Sequence, residues 1–319
     1  MENQLTVTSS PHLHGQTATR TIMLDVLIAL LPAAIASVWL FGWRALAVEI
    51  VCVASCVASE LLSCAVLKKK NSVGDLSCMV TGVLLAFNLP VTIPFWQAAL
   101  GGVVAIVVVK MMFGGIGCNF VNPALTGRIV LMVSFASEMN RWVEPIIWQS
   151  GADAVSSATP LAVMGAEGSL AGRYTLEQLF LGIRPGCLGE TCVLALLAGG
   201  AYLVIRRVIT PLIPLTYIGT VFVLAWILGA NPLEHILSGG LMLGAIFMAT
   251  DYTTSPLNRW GKVVFAIGCG LLTVLLRLYG SLPEGVSFAI VLMNIATPLI
   301  ERVTRPQPFG SRRRWLRHD

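Results

Sequence analysis

Charge is scarce in this 319-residue chain: 12% of its residues are Asp, Glu, Lys or Arg, where a soluble domain carries about 25%. That shortage, with 56% hydrophobic residues and a mean hydropathy of +0.80, excludes a cytosolic enzyme, a disordered scaffold and a nucleic-acid-binding protein. Cys-x-x-Cys pairs are absent too. The eight cysteines (Cys52, Cys56, Cys64, Cys78, Cys118, Cys187, Cys192 and Cys269) fall mostly inside apolar segments, and their spacing offers no four convergent ligands for an iron–sulfur or zinc site. Buried packing is the default for such thiols, and no metal site is expected from this chain alone. Nor is a cleavable signal peptide evident, because the first twenty residues are polar and the first apolar run is long enough to span. The basic run Arg312-Arg313-Arg314-Trp315-Leu316-Arg317 follows a terminal apolar segment, so it reads as a lipid-headgroup anchor and not as a nucleic-acid patch.

What the chain does have is long apolar runs, several exceeding the roughly 18 residues that mark a membrane helix. The expected fold is an all-α polytopic membrane protein of about ten transmembrane helices, near 22–42, 45–67, 75–90, 93–112, 120–137, 186–205, 211–229, 232–250, 260–279 and 284–302. The third is short, running from Asp75 to Asn88-Leu89-Pro90, and is expected to be broken or re-entrant. Loop cations set the orientation. Lys68-Lys69-Lys70, Lys110, Arg206-Arg207, Arg259, Lys262 and the C-terminal arginines fall to one side, whereas Arg44, Arg141, Arg173, Arg184 and Arg277 fall to the other. The resulting organisation is a cytoplasmic segment 1–21, a bundle half 22–137, an outer loop 138–185, a second half 186–304 and a basic cytoplasmic tail 305–319.

A shift of 138 residues brings Pro94 onto Pro232, Gly101-Gly102 onto Gly239-Gly240 and Thr81-Gly82 onto Gly219-Thr220. Each Gly-Gly pair opens a segment that ends in a polar break, Phe113–Pro123 in one half and Met248–Pro256 in the other. Such echoes point to an internal five-helix repeat of the kind that builds transport folds around discontinuous helices. Both breaks fall on the cytoplasmic side, which is hard to reconcile with a simple inverted repeat unless the third segment does not cross fully.

Irregular backbone at membrane depth has to line a cavity or bury itself in protein. In the first break Gly114, Gly115 and Gly117 permit close backbone approach, while Asn119 and Asn122 add amides. In the second, Asp251 sits among Thr250, Thr253, Thr254 and Ser255, suited to a small cation, a ring N–H or a ribityl hydroxyl, or simply to capping the next helix. Ionisable residues in or near spans are functional candidates by default: Asp25, Glu49, Glu60, Arg128 and Glu190. A buried guanidinium at Arg128 invites a phosphate or a carboxylate. The long loop holds Gly151-Ala152-Asp153-Ala154-Val155-Ser156-Ser157-Ala158-Thr159-Pro160, a small-residue stretch with several hydroxyls that a modifying enzyme can reach. As bare composition it is a Ser/Thr turn before proline.

Together with Ser10-Pro11-His12, Thr81–Pro90 and the two breaks, that loop resembles the NqrB/RnfD family of membrane subunits over nearly the whole chain. In that family a flavin transferase esterifies FMN through its phosphate to a threonine within D-[GA]-x-x-S-[GA]-T, which Asp153, Ala154, Ser157, Ala158 and Thr159 match at every specified position. The resemblance thus implies covalent FMN at Thr159, with Asp153 and Ser157 as recognition residues. It also raises a second, non-covalent flavin (riboflavin), with Asn119, Asn122, Arg128 and Asp251 as candidate contacts. The implied fold is urea-transporter-like. The implied role is electron transfer coupled to Na+ or H+ movement in the bacterial inner membrane, beside subunits of the RnfA, RnfB, RnfC, RnfE and RnfG types, the last nearest. A channel or secondary transporter for a small polar solute is the alternative, and a purely structural anchor a third reading.

Overall fold

The computed structural model describes residues 18–69, 71–145, 157–167, 170, 172–280 and 284–305, and among these there is helix, turn and loop but no strand. In chain order the helices are α1 (Thr19–Phe41), α2 (Trp43–Val66), α3 (Ser77–Phe87), α4 (Phe95–Val103), α5 (Pro123–Ser134), α6 (Ala136–Met139), α7 (Pro160–Glu167) and α8 (Leu176–Leu181). There follow α9 (Val193–Ile205), α10 (Leu212–Ile227), α11 (Pro232–Leu237), α12 (Leu241–Leu243), α13 (Arg259–Tyr279) and α14 (Val286–Thr304). Four of them, α1, α2, α13 and α14, are long and apolar enough to cross a membrane by length and composition. The chain is a multi-pass membrane protein.

Each of the ten apolar segments holds helix, but only four of these helices are long enough to span among the described residues, and the shortening expected of the third extends to five others. Local chemistry explains the shortening. Asn88 and Pro90 stop α3 after 11 residues. Asn122 and Asn231 cap α5 and α11 by accepting from backbone N–H groups, each with proline in the first turn, where a missing N–H costs nothing. The 232–250 segment breaks at Ser238–Gly240, where Gly239 takes a left-handed φ of 65°. Both echo segments then continue as π-helix, Val104–Met111 after α4 and Gly244–Met248 after α12, immediately before the two polar breaks.

Hydrogen bonds between loops sort the connections into two ends. At one, Arg44 Nε donates to Val91 O at 2.8 Å and Thr92 Oγ1 to Arg141 O at 2.8 Å. At the other, Lys69 Nζ donates to Gly114 O at 3.3 Å, Asn119 Nδ2 to Thr253 Oγ1 at 3.0 Å, and Leu257 N to Glu301 Oε1 at 2.9 Å. Between the ends one apolar core runs through both halves, from Leu30 and Phe41 to Phe265 and Ile290. Small residues bring helices to backbone contact. A Cβ on Gly199 of α9 would meet Ala29 O of α1 at 2.1 Å, and one on Gly102 of α4 would meet Ser55 Oγ of α2 at 2.2 Å.

Candidate functional site

Polar side chains buried in this bundle gather in two places, one toward each end, with the Thr159 segment beside the first. Thr159 precedes Pro160 at the start of α7, and its Oγ1 accepts from Ala162 N at 3.2 Å. It is 4% exposed. This corrects the expectation of a freely reachable hydroxyl: capping draws Thr159 inward, while the apolar residues of α7 (Leu161, Val163 and Met164) bury against Leu170 and Leu179. Ser157 N–H donates to Trp142 O at 3.1 Å, and its buried Oγ has no partner among the described residues. Asp153, with Ala154, lies outside the described residues. Leu161 packs over Gly239, whose other neighbour is the Arg277 guanidinium.

The first cluster centres on Arg128, 2% exposed. Its Nη1 donates to Asn88 Oδ1 at 2.8 Å and Ser287 Oγ at 2.9 Å, while Nη2 reaches Cys187 Sγ at 3.5 Å and pairs with the Glu284 carboxylate. Cys187, Glu190 and Glu284 present ligand atoms within 4.8 Å of one another, but the guanidinium already binds two of the three. Around it, Arg184 donates to Glu190 O at 2.9 Å, and Arg277 donates to His235 O at 2.5 Å and Ser238 O at 3.1 Å. Burial pulls the Arg184 guanidinium below its ordinary range, with Glu190 opposing. The carboxylate that Arg128 invites is therefore Glu284, and the guanidinium is turned away from Asn119, Asn122 and Asp251, the residues with which the sequence groups it.

That second site is a cavity of about 110 Å³, open toward the end that holds the polar breaks. The structure brings Asn119, Asn122 and Asp251 together in its wall, across more than a hundred residues of sequence. Thr253 Oγ1 accepts from Asn119 Nδ2 at 3.0 Å and donates to Asp251 Oδ2 at 3.0 Å; Thr254 Oγ1 donates to the same oxygen at 3.3 Å. Burial pushes the Asp251 carboxyl above its ordinary range, and the Thr253 and Thr254 donors oppose that rise. Asn122 also works structurally, since its Oδ1 accepts from Ala124 N and Leu125 N at the start of α5. The remaining lining is largely apolar, including Val26, Leu84 and Phe247.

Lys110 escapes a reading that treats cations as loop residues. It is 3% exposed, in the π-helical stretch, and donates to Glu60 Oε2 at 2.6 Å and Ser77 Oγ at 2.7 Å while lining the cavity. Arg184 and Arg277, counted as outer-loop charges, are buried as well. Glu60, set near an interface by its sequence position, is fully buried, whereas Asp25 reaches Arg206 and Tyr202. Asn88 and Glu284 carry no sequence signal as Arg128 partners, for their place is set by folding alone.

The fold and its two polar sites define a helical membrane bundle with buried ion pairs and a polar-lipped cavity. The chain belongs to the NQR2, RnfD, RnfE family, whose model matches residues 6–310. It is 47% identical over 312 residues to the D subunit of the Na(+)-translocating ferredoxin:NAD(+) oxidoreductase complex of Acetobacterium woodii, covering 97% of this chain and 96% of that one. Identity is 41% over 326 residues to the D subunit of the proton-translocating ferredoxin:NAD(+) oxidoreductase complex of Clostridium ljungdahlii, with 98% of each covered. It is 36% over 340 residues to the D subunit of the ion-translocating oxidoreductase complex of Halorhodospira halophila, covering 96% and 95%.

Proposed function

We propose that this chain is the membrane subunit of an Rnf-type ferredoxin:NAD+ oxidoreductase, a redox-driven pump for Na+ or H+, and that it carries FMN joined through its phosphate to Thr159. Thr159 is the observation that carries the reading. The signature threonine opens the eight-residue α7, where the helix dipole and the Leu161 N–H, the one first-turn N–H that Thr159 does not take up, favour an anion. Ser157 Oγ, buried and unpartnered among the described residues, supplies a hydroxyl two residues away. This donor set fits a phosphate. FMN, when bound, supplies one- and two-electron chemistry, which the protein positions and tunes. The chain's own part is to tether it, to seat its phosphate on the start of α7, and to hold the Arg277 guanidinium close by across Leu161 and Gly239.

The same reading takes in ten crossings in a five-helix repeat of urea-transporter-like architecture. Both termini are then cytoplasmic and the loop 138–185 is on the outer face of the bacterial cell (inner) membrane. The two-ended grouping of the loops and the paired π-helical stretches support it. Partners would be subunits of the RnfA, RnfB, RnfC, RnfE and RnfG types, the RnfG type nearest, with a flavin transferase for maturation and lipid around the bundle. The cavity of Asn119, Asn122 and Asp251 suits a second, non-covalent flavin: amides and a carboxylate for polar ring edges or ribityl hydroxyls, apolar walls for the ring faces.

The test is flavin fluorescence in a denaturing gel, with wild type and Thr159→Val each co-expressed with a flavin transferase. A fluorescent wild-type band and a dark variant are expected. A dark wild-type band beside an active transferase control would remove the redox-subunit reading and return the channel or transporter alternative, to be tested by solute flux in liposomes.

A further inference from the structure

Three acids in the bundle are answered by cations among the described residues, and Glu49 is not. Glu60 has Lys110, Glu284 has Arg128 and Asp25 has Arg206. Glu49, 8% exposed on α2, is paired with no cation among the described residues, and its one hydrogen-bond partner there is Ser37 of α1, with 2.5 Å between Ser37 Oγ and Glu49 Oε1. That hydroxyl also lies 2.8 Å from Ala34 O, an atom that only accepts. A serine has one proton to donate. If it satisfies the carbonyl, the proton in the second bond belongs to the carboxyl. If it serves the carboxyl, a buried carboxylate is left with a single donor and no counter-ion, the arrangement in which a buried acid neutralises instead.

The surroundings lead the same way. Glu49 lines an open apolar groove between α1 and α2 with Val38, Leu46, Ile50 and Val53. No charged residue lies on α1 between Asp25 and its end, and none on α3, which also borders the groove; on α2 the neighbours are Cys52, one turn further along, and Arg44, whose guanidinium donates to Val91 O and Thr92 O. Six residues into α2, Glu49 sits roughly 9 Å from the helix start, at 1.5 Å per residue.

We propose that Glu49 is a proton-carrying site: a carboxylic acid kept neutral by burial without a counter-ion, hydrogen-bonded to Ser37 and open to the bilayer through the α1–α2 groove, able to load and release a proton there. The proposal does not depend on any flavin.

A lipophilic carbodiimide tests it in native membranes. The acid's proton passes to a carbodiimide nitrogen, the carboxyl oxygen bonds to the central carbon, and an acyl shift to nitrogen leaves a stable N-acylurea. Every atom is retained and nothing is oxidised, so the adduct weighs the whole reagent. Peptide mass spectrometry is expected to find the adduct on Glu49, falling as pH rises. Glu60, whose carboxylate is engaged by Lys110 Nζ at 2.6 Å, should be labelled roughly tenfold less or weaker still. Glu49→Gln should lose the label, along with a neutral-carboxyl C=O band in infrared difference spectra. Ser37→Ala, which keeps the acid, should retain the label if the Gln variant does not fold. An unlabelled Glu49, in membranes where a control protonated carboxyl reacts, would overturn the proposal. So would equal labelling of Glu49 and Glu60, or a C=O band unchanged by Glu49→Gln.

Discussion

The two polar regions of this bundle solve the burial of charge in opposite ways. Around Arg128 the charges are closed on one another: carboxylate, amide, hydroxyl and thiol all converge on one guanidinium. Around Asp251 the carboxylate has hydroxyl and amide neighbours, no paired cation among the described residues, and a cavity in front of it. The first arrangement spends most of the Arg128 donors on the protein itself, leaving Arg128 Nε and Glu190 Oε2 without a partner among the described residues. The second keeps some hydrogen-bonding capacity for a ligand. Asn88 joins them, its Oδ1 on Arg128 and its Nδ2 3.7 Å from Met248 Sδ, while Met248 O accepts from Asn122.

Breaking the closed region should cost most. Arg128→Met leaves the largely enclosed Glu284 carboxylate without its cation and should destabilise by about 3 kcal/mol, read from unfolding in detergent. Pairing it with Glu284→Met should recover most of that loss, because well-packed apolar groups can replace a buried ion pair. Next comes the wall between the regions. Gly199→Ala pushes a methyl into Ala29 O and Phe247, and should cost about 1–3 kcal/mol in the same assay. Asn122→Ala should lose about 1 kcal/mol with the cap of α5. The smallest stability effect is expected at Asp251→Asn, within about 0.5 kcal/mol, since the amide oxygen still accepts from Thr253 and Thr254. That variant should nonetheless release less non-covalent flavin on denaturation, measured by chromatography. Were Asp251→Asn to destabilise more than Arg128→Met, the contrast between a structural cluster and a binding cavity would fail.

Much of the cavity was legible in the chain. Polar breaks inside apolar runs have to bury against protein or line a hollow, and Asn119, Asn122 and Asp251 indeed share one wall. The closed cluster was half legible: Arg128 announces itself as a charge in an apolar segment, but Glu284 lies 156 residues away at the edge of another. Lys110 was misplaced because a lysine near the end of an apolar run looks the same whether it turns to headgroups or inward to Glu60.

The sequence by itself determined the membrane class, the shortness of α3, the proline-and-asparagine starts of α5 and α11, and the acids that need an explanation. These are properties of composition and of a few neighbouring residues, for the cost of burying a charge or omitting an N–H is local. Tertiary structure alone decided who answers each charge, that Thr159 turns inward to cap α7, and that Glu49 is left with a serine where Glu60, Glu284 and Asp25 have cations. Pairing is a matter of which helix faces meet, and in a bundle of many apolar segments that choice is made by packing across the whole chain.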